Sequence, residues 1–121
     1  GWQHTGMTRL VVTESMHVRK ERMAELSDSC IALPGGVGTL EELLEIITWK
    51  QLGLYMKPIV VLNTQDYFSP LLRQLEQAVE QQFMSSLHAT LWQVAATPEE
   101  ALRLAVETPP LQEPIRKFAA L

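Results

Sequence analysis

Short runs of apolar, mostly β-branched residues alternate along this chain with longer segments whose apolar positions recur at helical spacing, and that alternation leaves few folds open. Leu10-Val11-Val12 precedes a charged, helix-prone stretch from Met16 to Leu26. Cys30-Ile31-Ala32-Leu33 leads into a glycine-rich turn and then Thr39 to Leu52, with apolar residues at 40, 43, 44 and 47. Ile59-Val60-Val61-Leu62 is followed by the turn chemistry of Asn63-Thr64-Gln65-Asp66 and by a helical segment from Ser69 to Phe83. A fourth strand is expected near Leu91 to Val94. Thr97-Pro98-Glu99-Glu100 then reads as an N-cap with proline at the first helical position, opening a helix that reaches about Val106. Strands without polar alternation are buried on both faces, so the expected fold class is α/β: a Rossmann-like parallel sheet with helices on both faces. Residues 1–108 read as one domain, and 109–121, interrupted by Pro109, Pro110 and Pro114, as a tail.

Composition narrows the function classes. Among 121 residues, 14 acidic side chains outweigh 10 basic ones, a net charge of −4 that argues against a nucleic-acid binder. No apolar run approaches the roughly 20 residues that span a bilayer, and no membrane partner is expected. Cys30 is the single cysteine, which precludes an intramolecular disulfide and a cysteine-based metal cluster and fits a reducing compartment. The first residues, Gly1-Trp2-Gln3-His4-Thr5-Gly6, have neither the basic start nor the apolar core of a secretion signal, so a cytoplasmic location is expected. His4 and His88 are not spaced as metal ligands, and neither a metal nor a cofactor is expected.

The segment Pro34-Gly35-Gly36-Val37-Gly38-Thr39 joins a strand end to a helix start, the place where a parallel sheet holds its ligand. Glycines there allow a sharp turn and close approach of a ligand to the backbone. The free N–H groups of the following helical turn, at the positive end of the helix dipole, suit an anion. The glycine spacing is neither that of the triphosphatase loop nor that of the dinucleotide fingerprint, which leaves the phosphate of a mononucleotide. Thr39 and Glu42 can be read in two ways. Thr-x-x-Glu is the capping box, in which both side chains only satisfy backbone N–H groups. Alternatively, Glu42 faces the sugar that carries the bound phosphate.

These residues resemble a known family. Met16-His17-Val18-Arg19-Lys20, Ser27-Asp28, the run from Ile31 to Glu42, Thr48-Trp49-Lys50-Gln51-Leu52-Gly53 and Lys57-Pro58 are similar to the LOG (Lonely Guy) family, phosphoribohydrolases that act on cytokinin riboside 5′-monophosphates. The resemblance implies that Arg19 and Glu42 are the catalytic pair and that Lys20, Gly35, Gly36, Val37, Gly38, Thr39, Leu40, Glu41 and Thr48 bind substrate. It implies hydrolysis of the N-glycosidic bond of a nucleoside 5′-monophosphate, AMP or a cytokinin riboside monophosphate, to free base and ribose 5-phosphate. It also implies a homodimer or higher homo-oligomer. Members often carry the label lysine decarboxylase, whose chemistry asks for pyridoxal phosphate and a Schiff-base lysine; no segment argues for that site. Family members carry a further glycine-rich half upstream, so this chain is expected to be the C-terminal portion of the domain or to be completed by another chain. Non-catalytic nucleotide carriers and molybdenum-cofactor carriers resemble the same fold and loop, and form the alternative.

Other residues have plainer readings. His17 beside Arg19 is a candidate proton shuttle or an ordinary polar contact. Cys30 reads as a small core residue, and Glu21, Glu25, Glu41 and Glu45 read as solvated helix charges. Trp49, off the stripe of 40, 43, 44 and 47, is expected to face a partner.

Overall fold

The computed structural model describes residues 27–112. The strand expected near Leu10–Val12, the helix from Met16 to Leu26, Arg19, Lys20, His17 and the end of the tail lie outside these residues. Within them, strands β1 (Cys30–Ala32), β2 (Ile59–Leu62) and β3 (Gln93–Ala95) form a parallel sheet in the order β1-β2-β3. Register pairs Ile31 with Val60 and Val61 with Val94. Helices α1 (Val37–Gln51), α2 (Ser69–Glu80) and α3 (Pro98–Glu107) follow the three strands in turn.

Period-two alternation divides the buried strand residues between two cores. Cys30, Ala32, Ile59 and Val61 face one side, where Leu43, Ile46 and Ile47 of α1, with Leu71 and Leu72 of α2, cover them. Ile31, Val60, Leu62 and Ala95 face the other, against Ala101 and Ala105 of α3. Small residues on α3 let that helix approach the sheet closely. Helices therefore cover both faces, as expected. A sheet growing in one direction with right-handed crossovers puts α1 and α2 on the same face.

Several boundaries differ from expectation. α1 begins at Val37, not Thr39, because Gly36 takes the extended N-cap conformation, φ −94° and ψ −152°. Its buried face is Glu42, Leu43, Ile46, Ile47 and Lys50, while Leu44 is exposed. The stripe is thus centred one position further round the helix than 40, 43, 44 and 47, and this rotation brings Trp49, half-buried, onto the edge of the first core. α2 ends at Glu80 because Gln82 adopts φ 67°. β3 starts two residues late because Leu91 is consumed by the end of a 3-10 turn over Ser86–Thr90. That turn is capped by His88, which is buried and whose Nδ1 accepts the Ser85 N–H at 3.1 Å. Leu111, in the segment read as tail, packs on the first core and its N–H donates to the Met56 carbonyl at 2.8 Å. No helix among the described residues is long and apolar enough to cross a membrane.

Candidate functional site

Two connections leave the carboxyl end of the sheet side by side, residues 33–36 from β1 into α1 and residues 63–68 from β2 into α2. The first carries the glycine segment. Gly35 is required by packing, since a Cβ there would overlap the Thr39 side chain. Gly36 and Gly38 are different, because a Cβ at either meets nothing within 4 Å. Glycine inside a helix costs about 1 kcal/mol relative to alanine, and no described contact asks for it at Gly38. Such a position suits close approach of a ligand to the backbone.

No side chain caps α1. The Thr39–Glu42 capping box is therefore not formed: with the helix starting at Val37, Thr39 is already its third residue and Glu42 lies a turn further in. Leu40 donates its N–H to the Gly36 carbonyl at 3.1 Å, the first bond of the helix. Gly36, Val37 and Gly38 are exposed at the helix mouth, Gly35 and Thr39 are half-buried, and Leu40 packs against the core. Glu41 is exposed, whereas Glu42 is buried, with 6% of its surface accessible. Glu42 lies four residues after Gly38, so the two share one face of α1, and Glu42 is counted with Leu43, Ile46, Ile47 and Lys50 among the buried residues of the helix. The space beside Gly38 is open, since nothing lies within 4 Å of a Cβ placed there.

Thr48 is not brought to this loop. It lies about 15 Å along the helix axis from Gly38, exposed, with its hydroxyl donating to the Leu44 carbonyl at 2.8 Å. It shares its face of α1 with exposed Val37, Leu44 and Leu52.

The residue that sequence reasoning passed over is Tyr67, whose hydroxyl donates to the Gly35 carbonyl. An aromatic with a polar tip in the connection next to the glycine segment was the available signal.

The opposite end of the sheet is closed. Cys30 Sγ and Tyr55 Oη share a hydrogen bond of 3.0 Å, and Lys57 donates to the Ser27 carbonyl beside them. Burial raises the Cys30 thiol to about 11 and pushes Tyr55 up as well, so both stay protonated and Cys30 is an inert core thiol. Burial lowers Lys50, in the last turn of α1, to about 8.

Residues 2–105 match the family described as possible lysine decarboxylase. The chain belongs to this family. Its LOG-family character is seen in the relatives. A cytokinin riboside 5′-monophosphate phosphoribohydrolase of Rhodococcoides fascians is 52% identical over 82 residues, 68% of this chain and 41% of the relative. One of Arabidopsis thaliana is 47% identical over 98 residues, 81% of this chain and 46% of the relative. A probable one of Oryza sativa subsp. japonica is 46% identical over 100 residues, 83% of this chain and 41% of the relative. The chain thus spans less than half the length of these LOG-family relatives. The decarboxylase label implies pyridoxal phosphate, and the described residues do not fit it. A Schiff base needs an amine at the ligand end of the sheet, and the described lysines, Lys50 and Lys57, both lie with the Cys30–Tyr55 cluster at the other end.

Proposed function

We propose that this protein hydrolyses the N-glycosidic bond of nucleoside 5′-monophosphates, AMP or a cytokinin riboside 5′-monophosphate, to free base and ribose 5-phosphate. The observation that carries the reading is an uncapped helix mouth of exposed glycines backed by a buried carboxylate that its own helix does not use as a cap. The names of the relatives support the same chemistry.

In this reading the N–H groups of Gly36, Val37 and Gly38 hold the phosphate at the positive end of the α1 dipole. As the bond from ribose C1′ to the base breaks, its electron pair leaves with the base and positive charge grows on the ribose. Glu42 stabilises that charge, an effect strengthened by withdrawal of the carboxylate from bulk water. Water then adds its oxygen to C1′, and the proton it releases balances the departing base. Arg19 anchors phosphate or assists the base, since its planar fork of donors matches phosphate oxygens, and Lys20 adds charge to the same site. Thr39, Leu40 and Glu41 complete the loop side of the pocket. Thr48 borders a substrate site only across a contact between copies, which accords with the apolar face it shares with Val37, Leu44 and Leu52 and with a homodimer. A cytoplasmic location belongs to the same reading and rests on cysteine usage.

The test is release of adenine and ribose 5-phosphate from AMP by the whole protein, followed by chromatography, with a cytokinin riboside monophosphate in parallel. Glu42→Gln should fold normally and lose turnover. Binding without release in the unsubstituted protein would favour a nucleotide carrier and end the hydrolase reading.

A further inference from the structure

We infer that Tyr67 is a positioning residue that locks the Gly35–Gly36 peptide and thereby aims the Gly36 N–H at the substrate phosphate; the inference rests on the phosphate-binding role proposed for this loop. The Gly35 carbonyl and the Gly36 N–H belong to one planar trans peptide and point in opposite directions. Holding the carbonyl therefore fixes where the N–H points. With glycine on both sides, this peptide has more rotational freedom than any other in the loop, and the Tyr67 hydroxyl bonded to its oxygen removes that freedom. The same bond polarises the amide and makes its N–H a better donor. No described group accepts the Gly36 N–H.

Tyr67 is itself held in place at some cost. Gln65 and Asp66 take φ values of 53° and 60°, a left-handed conformation that non-glycine residues adopt only when their surroundings impose it. Asn63 imposes it here: its side-chain oxygen accepts the Phe68 N–H at 2.7 Å, its amide donates to Ser69 Oγ at 3.1 Å, and its carbonyl accepts the Asp66 N–H at 3.2 Å. Phe68, 1% exposed, anchors the next residue in the core and meets the Tyr67 ring edge-on, centroids 5.1 Å apart. A strained, pinned turn thus delivers one hydroxyl to one carbonyl of the neighbouring loop.

The experiment compares the whole protein with its Tyr67→Phe variant, which keeps the ring and removes the donor. Calorimetry should show ribose 5-phosphate affinity reduced by about five- to tenfold, the range for one lost hydrogen bond. KM for AMP should rise by a similar factor, kcat should change by the smaller factor, and the melting temperature should hold. Equal affinity in the two proteins would overturn the inference and leave the hydrolase reading intact, and so would a fall in melting temperature that accounts for the weaker binding. Ribose 5-phosphate binding that depends on Tyr67 in a protein that releases no base from AMP would sustain the inference and remove the hydrolase reading. Absence of ribose 5-phosphate binding by the unsubstituted protein would overturn the inference, and together with absence of base release from AMP it would overturn both.

Discussion

The chain contains two Thr-x-x-Glu sequences at helix starts, Thr39–Glu42 and Thr97–Glu100, and they do different things. At α3, Thr97 is the N-cap: its hydroxyl accepts the Glu100 N–H at 3.2 Å, and the Glu100 carboxylate accepts the Ala96 N–H at 2.8 Å. Both side chains are occupied in holding the helix start. At α1 the same pattern sits one turn inside a helix whose cap is Gly36, so neither residue caps it, and Glu42 is buried. The motif that caps one helix does not cap the other. That contrast carries more information about function than the motif itself.

The sharpest way to break the contrast is to neutralise each glutamate in turn. Glu42→Gln should reduce base release by at least about a hundredfold, the scale of losing an electrostatic group that acts on the transition state. Glu100→Gln should leave turnover where it was. Equal effects of the two substitutions in a steady-state assay would show that the distinction has no catalytic meaning.

Lys50 tests whether a buried charge on α1 signals function by itself. It sits at the closed end of the sheet, 5% exposed, with its ammonium lowered from 10.5 to about 8 by burial. Below pH 8 the folded protein bears the full cost of that charge. Between about 8 and 10.5 the unfolded chain binds a proton that the folded chain has released, so stability rises with pH. Cys30 opposes this above its ordinary value of 9.0, because the folded thiol keeps its proton up to about 11 while the unfolded chain loses it. The Lys50 effect is therefore cleanest between about pH 8 and 9. Lys50→Met should stabilise the protein by about 2 kcal/mol at pH 7 and flatten that rise, as read by urea denaturation, without loss of turnover.

Thr97→Ala should cost about 1 kcal/mol, the usual value of an N-cap side chain. Thr39→Ala has no cap to lose and replaces threonine with a better helix former, so its stability should hold while its effect falls on phosphate binding. Denaturation of both variants under one set of conditions measures the difference directly.

The same pair shows what was legible in the sequence. Strand and helix identities followed from periodicity, because Ile59–Leu62 and Ser69–Glu80 differ in period as well as in composition. Thr97 as a cap was legible because Pro98 fixes where α3 begins. Nothing comparable fixes the start of α1, since glycines at 35, 36 and 38 permit several starts, and a shift of two residues decides whether or not Glu42 caps the helix. The face of α1 was misplaced for a related reason: Leu40 and Leu44 look as apolar as Ile46, and only packing against β1 and β2 chooses between them. Tyr67 was hidden because its contact spans two connections that only the sheet order brings together.

The smallest expected effect lies at the other ends of the helices, where one backbone motif again carries two different residues. After α1, Gly53 takes φ 82° and the Leu54 N–H closes onto the Trp49 carbonyl at 2.8 Å. After α2, Gln82 takes φ 67° and the Phe83 N–H closes onto the Ala78 carbonyl, also at 2.8 Å. Both are left-handed C-terminal caps, but only the first has the residue that adopts that conformation without a steric penalty. Gln82→Gly relieves the Cβ clash and gives back part of the gain through the larger unfolded-state entropy of glycine, for a net stabilisation of about 0.5 kcal/mol. Gly53→Gln should destabilise by somewhat more, because the strain is added at a junction where Leu52 and Leu54 lead directly into the buried Tyr55. Opposite signs in the two denaturation curves would confirm that the motif sets the geometry and the residue sets its cost, whereas like signs would mean that contacts of the Gln82 side chain outweigh its backbone.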